Sequence, residues 1–138
     1  MIIYKSKTEF LCFTAIKPLQ AQMPDIINLW SKATQENPNL KSKEILNNTT
    51  KDIKYGLKQT KINKSCEIRI LPKNSSFFFK DTNSAIFEDK LMLVSLKNKL
   101  FTTLIQSEII ANSMRALYYL AWQSAIPLKK FIEDRRIK

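Results

Sequence analysis

Apolar residues recur along this chain at two spacings, one typical of β-strands and the other typical of helices. The aromatic and β-branched run FLCFTAI, within residues 9–16, predicts a buried strand, and the alternating stretch CEIRIL at 66–71 predicts another. Shorter apolar runs predict four more strands, at 43–47, 84–87, 91–96 and 100–106. The short link Glu88-Asp89-Lys90 joins two of these runs and therefore predicts a hairpin.

Two helices are predicted between the first strands. Proline suits the first helical turn, so Pro24-Asp25 begins one helix, and Asn37-Pro38-Asn39 ends it. Thr49 or Thr50 can cap the next helix. The segment from Pro18 to Pro24 is predicted to be a loop.

A third and longest helix is predicted to begin after Ser107 and to end at Pro127. Its predicted core face consists of Ile110, Met114, Leu117 and Ala121. The element order is thus β-α-β-α-β, followed by a three-strand run and a long C-terminal helix, which predicts an α/β fold. We expect one domain over residues 1–128 and a basic C-terminal tail at 129–138.

Composition excludes most common kinds of active site. The 138 residues include no His, one Gly and two Cys. Without His there is no Ser-His-Asp triad, and one Gly cannot build a phosphate-binding P-loop. Cys12 and Cys66 alone cannot form a four-thiolate zinc site. We therefore expect no enzyme activity and predict no catalytic, metal or cofactor site.

Two residual chemical options stay open in the sequence. Asp81, Glu88 and Asp89 lie near predicted turns, where carboxylates are usually solvated, but a catalytic pair depends on spatial separation. Cys66 lies near Lys64, a cationic neighbour that could activate its thiol. No apolar run reaches the roughly 20 residues of a membrane span, and the N-terminus lacks signal-peptide order, so a cytoplasmic location is expected.

The net charge of +11 raises the question of nucleic-acid binding. Lys supplies 19 of the 23 basic residues, and Lys, Asn and Ile all have AT-rich codons, so genome composition explains part of the charge. Few Arg residues also weigh against base readout. The candidate nucleic-acid or partner surface consists of Lys51, Lys54, Lys58, Lys61, Lys64, Lys129, Lys130, Arg135 and Arg136. Lys51, Lys54, Lys58 and Lys61 share one helix face, which could contact phosphates or simply face solvent.

Aromatic residues offer a second, weaker sign of nucleic-acid binding. The run Phe77-Phe78-Phe79 could stack on bases, but such a run is more often packed in a core. Trp30 and Trp122 each lie in a helical apolar stripe and are also expected in the core, with a dimer interface as the alternative.

From Cys66 onward the sequence resembles the C-terminal sensor domain of TrmB-type transcriptional regulators, which are sugar-responsive proteins of archaea and some bacteria. The resemblance is carried by CEIRILP at 66–72, SAIFEDKLMLVSL at 84–96 and LFTTLIQSEIIANSMRALYYLAW at 100–122. In the last segment the residues in register are Ile110, Ala111, Arg115, Ala116, Leu117, Leu120 and Trp122.

This resemblance implies a phospholipase-D-like α/β sandwich that senses an effector and carries out no hydrolysis. Phospholipase D chemistry needs a His nucleophile, which this chain lacks. A DNA-binding winged helix and a coiled-coil linker would precede the domain in this family, so the chain is either a fragment or a stand-alone sensor. No ligand residues are carried over from the family. Arg115 and Trp122 are candidates for anchoring the last helix or forming an interface.

Two functions are therefore expected from the sequence. The first is a non-enzymatic domain for transcription regulation that binds a small effector, a sugar by resemblance only, or a protein partner, and that forms a homodimer. In it, effector binding would shift the population of dimer arrangements and act on an attached or partner DNA-binding unit. The alternative is a small basic protein that binds nucleic acid itself.

Overall fold

The computed structural model describes residues 9–72 and 81–137, which form one seven-stranded mixed sheet and five helices. The strands are β1 (Phe10–Thr14), β2 (Ser42–Leu46), β3 (Cys66–Ile70), β4 (Thr82–Phe87), β5 (Lys90–Ser95), β6 (Phe101–Gln106) and β7 (Ile126–Pro127). The helices are α1 (Ile16–Gln22), α2 (Ile26–Glu36), α3 (Thr50–Ile62), α4 (Glu108–Ser124) and α5 (Leu128–Ile137).

The strand order in the sheet is β6-β5-β4-β1-β2-β3-β7. Strands β1, β2 and β3 are parallel, as the alternation of strands and helices in the first half predicts. The second half adds the antiparallel run β4-β5-β6, and β4 pairs with β1. The structure thus contains the predicted three-strand run, β4-β5-β6. It is followed by the predicted long helix, α4, which packs on the sheet.

Side-chain alternation along the strands divides the core between the two faces of the sheet. Leu11, Ile45 and Leu91 pack on one face against α4. On the other face, α1 and α2 cover β1, β4 and β5, while α3 and α5 cover β2 and β3. Helices on both faces make this an α/β sandwich, which confirms the predicted fold class.

The segment from Pro18 to Pro24 is not a loop as predicted, because residues 16–22 form α1. A proline is tolerated in the first turn of a helix, where the backbone N–H has no partner within the helix. At the first residue of α1, the backbone N–H of Ile16 donates to the Asp52 carboxylate at 3.2 Å, which connects the start of α1 to the start of α3.

The stretch predicted as a basic tail is a helix, α5, and α4 ends at Ser124, before Pro127. Leu128 and Phe131 of α5 are buried against β3 and α3. Gly56, the one glycine of the chain, allows this contact, since a Cβ there would lie 3.2 Å from the Leu128 side chain. The run Phe77-Phe78-Phe79 lies outside the described residues.

Candidate interaction surfaces

Helix α4 begins at a well-defined cap, as predicted. The Ser107 hydroxyl accepts a hydrogen bond from the backbone N–H of Ile110 at 3.2 Å, and Glu108 lies in the first turn, where its charge favours the helix dipole. Between Ile109 and Ser124 the only charged residue is Arg115. The helix is therefore apolar on most of its circumference, although only one side can face the sheet.

The core face of α4 is not the one predicted. The structure buries Ala111, Tyr118, Trp122 and Ala125, with Met114 and Ala121 partly buried beside them. Ile110 and Leu117, predicted to lie in the core, are instead exposed. Apolar residues lie at helical spacing on both the buried and the exposed face of α4, so their spacing alone does not show which face packs on the sheet.

Four large apolar side chains form an exposed stripe along the outer side of α4, here called the α4 stripe: Ile109, Ile110, Leu117 and Leu120. Ile109 is 81% exposed, Leu120 63% and Leu117 56%. Leu93 and Phe101 are also exposed, and their strand register places them on the same side of the sheet as α4. Several exposed large apolar side chains on one side of a protein are often part of an interaction site.

Trp122 anchors the C-terminal half of α4 to the sheet. Its ring stacks on Tyr118 with centroids 6.1 Å apart, and the Arg69 guanidinium lies over it at 4.6 Å. Arg69 also donates from Nη1 to the Trp122 carbonyl at 2.8 Å. Since Trp122 is buried, its contacts are those of a core anchor.

Arg115 anchors the N-terminal half of α4 to the β4–β5 turn. Its Nη2 donates to the backbone carbonyl of Glu88, and its Nη1 donates to the side chain of Asn112 at 3.0 Å. Glu88 has a left-handed φ of 52°, a conformation that costs about 1 kcal/mol for a residue with a Cβ. The arginine thus holds a turn that lacks the usual glycine.

The predicted lysine surface divides into two parts on neighbouring helices. Lys51, Lys54, Lys58 and Lys61 lie exposed on the outer side of α3, and Lys64 lies exposed just after it. None of the ion pairs in the described part of the chain involves these five residues. Lys129, Lys130 and Arg135 are exposed on α5, which contacts α3, while the side chain of Arg136 lies outside the described residues.

The acidic candidates do not have the environment of a catalytic pair. Lys90 Nζ lies 3.1 Å from Glu88 and 3.0 Å from Asp89, so both carboxylates are in ion pairs. The hydrogen bond from Lys90 lowers the pKa of Asp89, whereas a general acid needs a raised pKa. Asp81 is partly exposed beside the start of β4. Among the described residues no cluster of three or more His, Cys, Asp or Glu could hold a metal ion.

The two thiols are also placed unfavourably for reaction. Burial raises the pKa of both Cys12 and Cys66, and the Cys66 thiol donates to Glu44 at 3.4 Å. A nucleophilic cysteine needs a cationic, partly exposed environment that lowers its pKa. The buried Cys66 thiol therefore lacks the exposed, cationic environment that a reactive cysteine needs.

Glu44 is a buried carboxylate in the middle of the sheet that the sequence did not single out. Both of its oxygens accept from the Tyr55 hydroxyl, at 2.9 and 3.1 Å, and one accepts from Thr14 at 3.4 Å. Burial raises the pKa of the Glu44 carboxyl, and these hydrogen bonds offset the effect only in part. A charged residue in a five-residue strand gives no sign in the sequence of which face it occupies.

This raised pKa predicts how stability depends on pH. Between the ordinary value of 4.5 and the raised pKa, the folded chain binds more protons at Glu44 than the unfolded chain, so this contribution to stability falls as pH rises. We expect Glu44→Gln to remove this pH dependence. The unfolding free energy of the variant, relative to that of the wild type, should therefore increase as pH rises from 5 to 8. Urea unfolding at several pH values measures it, with Glu67→Gln on the neighbouring strand as an exposed control. Parallel curves for wild type and Glu44→Gln would contradict the assignment.

Comparison with known proteins finds similarity at the level of fold. No family model and no curated protein matches the sequence. Among solved structures, the chain resembles TrmBL2, described as an archaeal chromatin protein that shows a novel mode of DNA binding, with a TM-score of 0.58 and 19% identity. The match covers 91% of this chain and 47% of TrmBL2, so the chain spans about half the length of that protein. In the described part of the chain, no helix has both the length and the apolar character needed to cross a bilayer.

Proposed function

We propose that this chain is a non-enzymatic regulatory domain that acts by self-association through the α4 stripe. The observation that carries the proposal is a row of exposed apolar side chains on a helix that has one charge in its last sixteen residues. The resemblance of the sequence to TrmB-type sensor domains and the fold similarity to TrmBL2 support a regulatory role. An effector would act by favouring one arrangement of the two copies.

A second copy of the chain is the partner that fits this surface. Two chains that each carry +11 repel one another, so a shared interface must lie where no charge is buried, and the α4 stripe is such a place. The stripe with Leu93 and Phe101 presents roughly 350 Å² of apolar side chain, taking about 100 Å² for each fully exposed residue. A stable dimer buries about 800 Å² per partner, somewhat more than half of it apolar, so the patch supplies most of the apolar part.

The mass of the chain in solution tests this proposal. Sedimentation equilibrium over a concentration series should show a reversible change from the chain mass of 16.1 kDa to twice that value. Because salt screens the repulsion between two chains that each carry +11, the dissociation constant should fall as the salt concentration rises. A chain that stays monomeric up to about 100 μM, a concentration at which even weak dimers assemble, would overturn the proposal.

A second candidate function is direct binding to nucleic acid through the lysines of α3. The observation that favours it is their exposure on one helix face without ion pairs in the described structure, and TrmBL2 is described as binding DNA. Lysines can neutralise phosphates without reading bases, so binding would be sensitive to salt and tolerant of sequence.

Charge reversal tests the second candidate. Lys54→Glu with Lys58→Glu should weaken binding to duplex DNA at least tenfold at 100 mM salt and reduce the salt slope by about two. Titration of labelled DNA at several salt concentrations gives both numbers. Lys97→Glu with Lys99→Glu makes the same change of net charge at two exposed positions between β5 and β6 and serves as the control. Equal affinities for the Lys54/Lys58 variant and the wild type would exclude this surface.

A further inference from the structure

A cavity of about 290 Å³ lies between the sheet and the helices α1 and α2, on the face opposite α4. Ile26 and Trp30 line it from α2, Met23 lines it from the link between α1 and α2, and Met92 and Val94 line it from β5. It is distinct from the α4 stripe and from the lysine surface. Thr102 on the edge strand β6 is the exposed member of the lining, which places the opening at that edge of the sheet.

The walls of the cavity are uncharged and mostly apolar. Of the polar groups in its lining, Asn83 already accepts a hydrogen bond from the backbone of Ala15 at 2.8 Å, and the Thr14 hydroxyl donates to Glu44 at 3.4 Å. Apolar side chains therefore provide most of the surface that a ligand in this cavity would contact.

This lining selects the chemical class of the ligand. A sugar buried here would lose its hydrogen bonds to water and find few replacements, at about 1 to 3 kcal/mol for each unpaired hydroxyl. An apolar molecule has no such cost, and the flexible thioethers of Met23 and Met92 can adapt to its shape. The walls thus fit a class of ligand different from the sugar that the family resemblance implies.

The volume sets the size of the ligand. A cavity of about 150 Å³ lined by aliphatic and aromatic side chains holds one benzene. At 290 Å³, this cavity has room for two fused rings, or for one ring with a short alkyl chain, which is about ten carbon atoms.

We propose that the cavity beneath α1 and α2 binds a small uncharged apolar molecule of about ten carbons, and that this molecule is the effector of the domain. The role of this molecule as an effector rests on the regulatory function proposed above, whereas its binding in the cavity does not. Helices α1 and α2 form the cover of the cavity, and β4 and β5 lie beneath both this cavity and α4. Binding of a ligand in the cavity can therefore alter the position of α4, because β4 and β5 contact both.

Butylbenzene, with ten carbons, is a suitable probe for the binding step. In wild-type protein carrying ¹³C-methyl methionine, we expect saturable shifts of the Met23 and Met92 resonances. Met114 packs beneath α4 on the opposite face of the sheet and should shift much less, so it is an internal control. Glucose at the same concentration should shift none of them. Absence of saturable shifts with butylbenzene, or equal shifts at all three methyls, would overturn the proposal.

Two variants locate the binding site. Thr102→Trp places a large ring at the opening and Ala85→Leu fills the cavity from β4, so each should weaken butylbenzene binding at least tenfold. Thr82→Trp, also exposed but outside the lining, should leave the affinity unchanged. If Ala85→Leu unfolds the chain, the surface variants Thr102→Trp and Thr82→Trp still decide the question. Equal affinities for these two would contradict the assigned site.

Sedimentation with and without butylbenzene separates the ligand site from its regulatory role. A change of threefold or more in the dimer dissociation constant supports the role of effector. Methionine shifts with an unchanged dimer constant would overturn that role and leave the binding site in place. In a chain that stays monomeric, the methionine shifts still report binding, so failure of the proposed function and failure of the ligand site are distinguishable.

Discussion

An alanine at position 122 is expected to destabilise the fold by about 3 to 5 kcal/mol, which is a large part of the stability of a domain of this size. The Trp122 side chain is 7% exposed and fills the space between α4 and the sheet. Its removal leaves a cavity beside Tyr118 and takes away the ring over which the Arg69 guanidinium lies. The last two turns of α4 would lose their main contact with the core.

Urea unfolding followed by far-ultraviolet circular dichroism measures this effect without depending on the lost tryptophan fluorescence. Trp122→Phe is the matched variant, because it keeps an aromatic ring at the site and should recover more than half of the lost stability. Trp30→Ala provides a second comparison at the half-buried tryptophan, which should cost less. A cost below 1 kcal/mol for Trp122→Ala would show that α4 is not anchored as described.

Glutamates at positions 117 and 120 are expected to weaken self-association more than 100-fold. Leu117 and Leu120 are 56% and 63% exposed, so the folded monomer should change in stability by less than about 0.5 kcal/mol. In a dimer the same residues would bury four carboxylates without cationic partners, and unpaired buried charge costs several kcal/mol. Loss of dimer without loss of fold is therefore the expected result.

The matched control introduces two glutamates on another helix. Asn28→Glu with Gln35→Glu also adds two glutamates to neutral, exposed positions, but on α2, and should leave the dimer constant within about threefold of the wild type. Both variants need comparable unfolding curves for the comparison to hold. Equal dimer constants for the wild type and the Leu117/Leu120 variant would assign self-association to a different surface.

Much of the fold follows from local sequence signals. Thr49 and Ser107 cap their helices as predicted, since short hydroxyl side chains before an apolar run favour that position. The hairpin around Asp89 forms without a glycine, and Arg115 donates a hydrogen bond to the carbonyl of its turn residue Glu88. The shared face of the α3 lysines follows directly from their spacing.

Other features could not be read from spacing. On α4, apolar residues occupy both phases, so Ile110 and Leu117 fit a core face as well as Ala111 and Tyr118 do. Only the packing of the whole sheet decides between them. The burial of Glu44 depends on partners from three other elements, and the cavity beneath α2 arises from how helices meet the sheet. These are tertiary properties that no local pattern encodes.

Side-chain footprinting of the wild type tests whether the α4 stripe is the interface between two copies of the chain. Carbene labelling at a concentration well above the dimer constant, compared with one well below it, reports which side chains become covered. We expect at least threefold protection of Ile109, Leu117 and Leu120, with labelling of Lys54 and Lys58 unchanged. Protection confined to α3 or α5, or no concentration-dependent protection of α4 while the mass doubles, would contradict it.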